Sequence, residues 1–427
     1  MSEQGYPPLP LRHAVADHIG GGTPSRQVPS YWRGHIPWAS VKDFPEQSGV
    51  IDDTEEHISG AGLNASASNL IPAGIPLVCT RMAVGRAAMP SVPMAINQDV
   101  KALFPATGVS STYLLKVLQF IQPKAEAQAV GSTVKGIRIQ DYLNIEAPMA
   151  DPIEQPVIAR VLGTLDTAIF DTEAIIAKLK AVKRGLLHDL LTRGIDVNGE
   201  LRPPQAEAPH LYKESPLGWI PREWDCTRLA YVADTYAGGT PSRDVPGFYG
   251  GDVPWVKSAE VNQESVSSTA ERITQFGLRN SSAKWVPAGT PLIAMYGATA
   301  GVVSWLAVHA TTNQAVLAVV PKAGLCGRWV YWALIWSASR LLASVQGSGQ
   351  PNLSKSTIDA LTMAVPHHSE QELIANTLNQ QASRLAEEVK YLAKIRVQKI
   401  GLMDDLLTGR VRVTALLSET EPRTECA

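Results

Sequence analysis

The sequence predicts an α+β protein: two duplicated mixed α/β domains separated by two long antiparallel coiled-coil helices, with pseudo-twofold symmetry. Three observations predict this fold. A series of motifs occurs twice in the same order within 427 residues, at an offset of 215 to 217 residues. Short apolar runs punctuated by Gly and Pro occupy the first part of each copy, as in strands joined by turns. A narrow apolar stripe with 4-3 spacing occupies the end of each copy.

The duplication depends on several motifs. The hexapeptide GGTPSR occurs at 21–26 and again at 238–243. Other pairs follow in the same order: PAGIPL at 72–77 and PAGTPL at 287–292, Asn97-Gln98 and Asn313-Gln314, EQPVIARVL at 154–162 and EQELIANTL at 370–378, and DLLT at 189–192 and 405–408. An ordered series of this kind indicates an internal duplication. The segments between the motifs differ, as expected of loops with different binding specificities.

Strands and one helix are predicted within each copy. The predicted strands are IPLVCT at 75–80, KALF at 101–104, NIEAPM at 144–149, TPLIAM at 290–295, AVLAVV at 315–320 and LTMAV at 361–365. Amphipathic helices are predicted around 111–121 and 327–343. The second of these is too short to span a bilayer and contains Arg340, so we interpret it as a buried helix.

The end of each copy predicts a long helix. The first stripe consists of Ile158, Leu162, Leu165, Ile169, Ile176, Leu179, Leu186 and Leu190, and the second of Ile374, Leu378, Leu385, Leu392, Ile395, Leu402 and Leu406. Each helix would be about 60 Å long at 1.5 Å per residue. A stripe this narrow suits one partner helix better than a broad domain surface. Because one helix leads away from the first domain and the other leads back, antiparallel pairing is expected.

These patterns predict six segments along the chain. They are a first domain at 1–150, a first spacer helix at 151–193, a loose polar linker at 194–217, a second domain at 218–367, a second spacer helix at 368–410 and a disordered tail at 411–427.

Composition disfavours several classes of protein. The formal net charge is −2, so a DNA-binding surface would need its basic groups on one face, or phosphate contacts from a partner. The four cysteines lie far apart without a CxxC pair, which disfavours a zinc ribbon and fits a reducing, cytoplasmic environment. The sequence has no GKS or GKT phosphate-binding motif and no Asp/Asn/Ser-Pro-Pro-Tyr/Phe methyltransferase motif.

Over roughly residues 9–413 the duplicated motif series resembles the specificity (S) subunits of type I restriction–modification enzymes. GSGQPNLSKSTI at 347–358 belongs to that series, whereas the first copy has GSTVKGIRI at 131–139. The resemblance implies that each domain is a target-recognition domain for one half of a split double-stranded DNA target, and that the paired helices fix the gap.

The same resemblance implies a non-catalytic subunit that acts within a complex. Two methyltransferase (modification) subunits would dock on it, with restriction/translocase subunits in the full complex. This chain would hold no cofactor or metal, because AdoMet and ATP would be bound by those partners. No membrane association is expected.

Candidate DNA contacts lie in the repeated turn and in the varying segments. The GGTP turn is expected to leave Ser25 and Arg26 exposed for phosphate contact, and Ser242 and Arg243 likewise. Donors of the kind that reads base edges are Lys42, Arg81 and Arg86 in the first copy and Lys257 and Tyr296 in the second. A further contact loop after the repeated Gly-Ser contains Lys135 and Arg138, opposite Gln350, Asn352 and Lys355. Trp38 and Trp255 are assigned to core packing.

One alternative is an interaction scaffold whose duplicated domains bind proteins, and the nearly neutral charge is compatible with that function. An enzyme with two equivalent sites is disfavoured, because no Ser/His/Asp, paired-carboxylate or Gly-rich constellation recurs in both copies.

Overall fold

The computed structural model describes residues 5–45, 49–345 and 352–417. It divides into two compact units. Unit 1 comprises Met1–Ile176 and Glu388–Ala427, and unit 2 comprises Ala177–Glu387. Each unit therefore contains one of the duplicated domains together with part of each long helix.

Short strands form most of each domain. In unit 1 they are β1 (Pro8–Pro10), β2 (Val15–Gly20), β3 (Ile36–Ala39), β4 (Val50–Ile51), β5 (His57–Ile58), β6 (Asn69–Ile71), β7 (Leu77–Cys79), β8 (Ala87–Pro90), β9 (Met94–Ile96), β10 (Val100–Pro105) and β11 (Glu146–Pro148). In unit 2 they are β12 (Tyr212–Ser215), β13 (Gly218–Pro221), β14 (Asp225–Arg228), β15 (Ala233–Ala237), β16 (Tyr249–Val256), β17 (Ser265–Val266), β18 (Arg272–Ile273), β19 (Trp285–Val286), β20 (Thr290–Ala294), β21 (Val303–Leu306), β22 (Ala310–Thr312), β23 (Val316–Pro321) and β24 (Thr362–Val365).

Both units build the same two main sheets. Unit 1 has the strand orders β2-β10-β7-β8-β4 and β5-β3-β9-β6, and unit 2 has β15-β23-β20-β21-β17 and β18-β16-β22-β19. The parallel pairs are equivalent as well: β4 with β8 and β3 with β9 in unit 1, and β17 with β21 and β16 with β22 in unit 2. Equal order and equal direction confirm the predicted duplication of a mixed α/β domain.

The α-helices are α1 (Gly60–Asn64), α2 (Ser111–Gln128), α3 (Ile139–Leu143), α4 (Gln155–Thr192), α5 (Leu229–Val232), α6 (Gln275–Arg279), α7 (Gly327–Ala343), α8 (Lys355–Asp359), α9 (His368–Thr408) and α10 (Thr414–Leu417). Helices α2 and α7 occupy equivalent places in the two repeats. On α2 the buried face contains Leu114, Leu118, Ile121 and Ala125, three or four residues apart as expected of an amphipathic helix.

The long helices α4 and α9 pair in antiparallel fashion within each unit. In unit 1, Lys399 lies 2.5 Å from Asp166 and Arg396 lies 2.5 Å from Glu173, so residue numbers fall on α9 as they rise on α4. In unit 2, Gln381 Nε2 donates to the carbonyl oxygen of Leu179 at 3.4 Å. The predicted stripes supply the packing: most of their members, including Ile158, Leu162, Ile374 and Leu378, are buried.

The segment predicted as a loose linker, 194–217, is instead anchored to unit 2, which corrects that expectation. Ile195 bridges Leu201 in antiparallel fashion, and β12 then pairs with β13. Arg202 is 7% exposed because its guanidinium is bound by Glu370, at the start of α9. The linker was inferred from the polar composition of 194–217. Composition does not reveal a buried ion pair between distant segments such as Arg202 and Glu370.

Candidate nucleic-acid interface

The repeated motifs form one cross-linked turn in each unit. A Cβ on Gly21 would lie 1.9 Å from the carbonyl oxygen of Ile96, and one on Gly238 would lie 1.8 Å from that of Thr312. Only glycine permits such an approach, because real Cβ atoms do not come so close to backbone. These glycines are therefore required for folding, irrespective of any ligand.

The repeated tryptophans and the Asn-Gln dipeptides complete this turn. Trp38 Nε1 donates to the carbonyl oxygen of Gly22 at 3.1 Å, and Trp255 Nε1 to that of Gly239 at 3.0 Å. Thr23 donates to the side chain of Gln98 at 2.5 Å, and Thr240 bonds Gln314 in the same way. Both tryptophans are buried, so their predicted assignment to the core is confirmed. Most of the residues that the two copies share therefore support the fold.

Arg26 belongs to a cluster on the surface of unit 1. Its guanidinium lies 3.6 Å from the ring centroid of Trp32, and its Nη2 donates to Glu56 at 2.8 Å. The side chain remains 56% exposed. The Arg26 hydrogen bonds lower the pKa of Glu56, so the carboxylate is ionised and neutralises the arginine. Arg26 is thus less available to a phosphate than the sequence suggested.

Unit 2 carries the same cluster with one additional cation. Arg243 stacks over Tyr249 at 4.2 Å, and its Nη2 donates to Glu271 at 3.1 Å. Lys257 Nζ lies 3.0 Å from the same carboxylate. The hydrogen bond from Arg243, reinforced by Lys257, lowers the pKa of Glu271 from 4.5 to about 2. Two predicted DNA contacts thus converge on one glutamate that sequence reasoning missed.

A second arrangement brings the variable segments of each repeat together. In unit 1, Arg81 bridges Gly136, and the amide of Ile137 donates to Thr80 at 2.9 Å. In unit 2, Tyr296 bridges Asn352, and the amide of Leu353 donates to Met295 at 2.8 Å. We call these segments the paired loops: 80–86 with 130–138 in unit 1, and 295–301 with 352–355 in unit 2.

The paired loops contain many of the predicted contact residues in exposed positions. Arg81 is 54% exposed although its Nη1 lies 3.2 Å from Asp99, and none of the described residues accepts a hydrogen bond from its other nitrogens. Lys135, Arg138 and Asn352 are exposed, and Tyr296 is 42% exposed. Lys355 is exposed and is paired with Asp359 on its own helix. Gln350 lies outside the described residues.

The remaining predicted contacts differ in their surroundings. Lys42, Ser25 and Ser242 are exposed. Arg86 is half-buried: its Nη1 donates to the carbonyl oxygen of Phe44 at 3.3 Å, and it lines a cavity of about 280 Å³ with residues of α4 and α9. These contacts give Arg86 a structural role, because its Nη1 donates to the backbone of unit 1.

Among the described residues, no three His, Cys, Asp or Glu side chains come close enough together to hold a metal ion. Among the same residues, none of the helices combines the length and apolar character needed for a membrane span. The arrangement suits recognition, because a repeated scaffold presents loops that differ between the copies.

Two equivalent scaffolds with unlike exposed loops define a protein built from two copies of one domain. Residues 14–181 and 221–394 each match the family model described as the type I restriction modification DNA specificity domain. The chain belongs to this family.

Two individual relatives share 30% sequence identity or less with this chain. The MjaIX specificity subunit of a type I restriction enzyme from Methanocaldococcus jannaschii is 30% identical over 173 residues, 39% of this chain and 40% of that protein. The match thus spans less than half of that relative. The MjaVIII specificity subunit from the same organism is 21% identical over 319 residues, 71% of each chain.

A solved structure shows the same fold. The type I restriction-modification S subunit from M. genitalium superposes with a TM-score of 0.64 at 14% sequence identity, covering 95% of this chain and 97% of that one.

Proposed function

We propose that this chain is the DNA specificity subunit of a type I restriction–modification complex of the prokaryotic cytosol. Each domain reads one part of a two-part double-stranded target through its paired loops. The observation that carries the proposal is that the two loop pairs occupy equivalent places on equal scaffolds yet differ in sequence. Arg81 of one pair, for example, is replaced by Tyr296 in the other. Because the two loop pairs differ, the DNA target contains two unlike half-sites.

The chain itself is non-catalytic in this proposal. Two methyltransferase subunits dock on it and bind AdoMet, and restriction/translocase subunits bind ATP in the full complex. The partners also supply part of the contact with the DNA backbone, because a chain of net charge −2 neutralises few phosphates by itself.

The cluster around Arg26 is poorly suited to a phosphate, because Glu56 neutralises the arginine. In unit 2, Glu271 is shared by Arg243 and Lys257, so one net positive charge remains there for a phosphate. Lys135 and Arg138 of unit 1 are exposed and have no acidic partner among the described residues, so they are better suited to the DNA backbone.

The test is selection from random DNA. The full chain, assembled with its methyltransferase subunits, is incubated with duplexes that contain a long randomised segment, and bound DNA is sequenced. We expect enrichment of two short unlike motifs at a fixed separation. Replacing 80–86 and 130–138 by the paired loops of a relative should change one motif only. Assembly with partners but no enrichment of any motif would favour the interaction scaffold instead.

A further inference from the structure

Met82 has an unusual backbone conformation in the paired loops of unit 1. Its φ is +65°, and in the described parts of the chain it is the only residue other than glycine with a positive φ. At the equivalent position, unit 2 has Gly297 with φ +77°. The scaffold thus requires the left-handed conformation in both copies, and L side chains are disfavoured there.

Packing within unit 1 does not explain a methionine at this position. The side chain is 64% exposed, so most of its apolar surface remains in water. Glycine would adopt the same conformation without strain and would lose little burial. Strained residues that folding does not require are concentrated at binding sites.

The surroundings of Met82 point to a specific ligand. Its amide donates to the carbonyl oxygen of Lys135 at 2.9 Å, which places it where the two loops meet. It follows Arg81, whose guanidinium is 54% exposed. Val130 and Val134 of the facing loop are 75% and 43% exposed. Apolar surface is therefore mixed with hydrogen-bond donors, as on proteins that contact DNA bases.

We propose that Met82 is a specificity-determining residue that packs its side chain against the bases of the first half-site. The inference depends on the proposed DNA-recognition function and extends it to one residue. Apolar side chains contact thymine methyl groups in the major groove, and methionine is among the residues that insert between base steps. The left-handed backbone and the Lys135 hydrogen bond hold the side chain outward, so less conformational freedom is lost on binding.

Three substitutions separate the side chain from the backbone strain. Met82→Gly removes both, Met82→Ala removes the side chain and keeps the strain, and Met82→Leu keeps apolar volume and strain. Each variant of the full chain is assembled with methyltransferase subunits. Affinity is measured on the selected target and on two controls in which the first or the second half-site is scrambled, together with the Tm of the chain.

We expect Met82→Gly and Met82→Ala to weaken binding to the selected target about tenfold, with Met82→Leu close to the original protein. Binding to DNA with a scrambled first half-site should not change. Discrimination at the second half-site should also remain. Met82→Gly should leave Tm equal or higher, because the strain is relieved, and Met82→Ala should leave it nearly unchanged.

Unchanged affinity of Met82→Gly for the selected target would overturn the inference. So would a loss by Met82→Gly that Met82→Ala does not share, because backbone flexibility would then be responsible. Weaker assembly with methyltransferase subunits at unchanged DNA affinity would assign Met82 to a protein contact and overturn it as well. Failure of the proposed function looks different, since the unsubstituted complex would then select no target at all.

Discussion

Glu370, the third residue of α9, accepts hydrogen bonds from both terminal nitrogens of Arg202, and its Oε2 also accepts from Trp224 Nε1 at 3.0 Å. Unit 1 repeats this arrangement: Glu154 binds Arg412 and accepts from Tyr6 at 2.9 Å. In both units a buried glutamate beside the start of one long helix holds the chain that follows the other helix. This explains why the glutamate of the EQ pair recurs at 154 and 370.

The first prediction concerns the stability of unit 2. Glu370→Gln removes the charge that compensates a nearly fully buried guanidinium, so we expect the free energy of unfolding to fall by about 3–5 kcal/mol. Urea denaturation followed by tryptophan fluorescence measures it. Glu223→Gln is the matched control: Glu223 contacts the same arginine at 3.4 Å but is 64% exposed, so its loss should cost less than about 1 kcal/mol. If both substitutions lowered the free energy of unfolding equally, burial would not be the reason for the larger contribution of Glu370.

The second prediction concerns pH. The pKa of Glu271 is lowered from 4.5 to about 2 in the folded protein, so its stabilising contribution is complete above pH 4.5 and is lost as the pH falls from there toward 2. The stability difference between the original protein and Glu271→Gln should therefore narrow below pH 5. Urea unfolding at pH 7, 5, 4 and 3 measures that difference. Glu56→Gln should behave with the same sign, and a difference that grew on acidification would disprove the linkage.

The third prediction separates two arginines of one loop. Arg81→Ala should weaken binding to the selected target more than to random DNA, with about 1–3 kcal/mol lost in discrimination, because its exposed donors suit a base edge. Arg86→Ala should lower Tm with little change in discrimination, since Arg86 donates to Phe44 inside unit 1. Electrophoretic mobility shift at fixed salt and thermal melts measure both. If Arg81→Ala lowered Tm and Arg86→Ala reduced discrimination, the roles of the two arginines would be the reverse of those predicted.

The fourth prediction concerns the long helices. One heptad inserted between Ile176 and Ala177, with another between Glu387 and Glu388, leaves every contact inside either unit intact, because these points are the unit boundaries. Each heptad adds about 10 Å, so the gap between half-sites should lengthen while both half-sites stay the same. Mapping of methylated sites measures the gap. Insertions of five residues are the control: they rotate the apolar stripe off its partner and should destabilise the helix pair.

The spacing of apolar residues along the chain was sufficient to predict much of the fold. The helix predicted at 327–343 forms over Gly327–Ala343, and the one predicted around 111–121 extends to Gln128, because Pro123 is accommodated inside it. Each of the six apolar runs overlaps a strand. Periodicity predicted these elements well because burial of one face dominates the choice between helix and strand.

The candidate site was less accessible to sequence reasoning. Arg81 and Arg86 are both arginines of one short loop, yet one is exposed and the other donates to the backbone of unit 1. Glu56 and Glu271, which neutralise predicted DNA contacts, lie in segments that share little between the copies. Their common offset of 215 residues was the available signal. For Met82 the only sequence signal was its alignment with Gly297 at the same offset, because its significance comes from a φ angle.

By itself, the sequence determined the duplication, the strand and helix pattern and the family, because each follows from the order and spacing of residues along the chain. The tertiary structure decided which side chains meet: Arg202 with Glu370, Arg243 with Glu271 and the loop of Arg81 with that of Gly136. These pairs are 28 to 168 residues apart. Contacts over such separations depend on how sheets and helices pack, and no local rule of spacing specifies them.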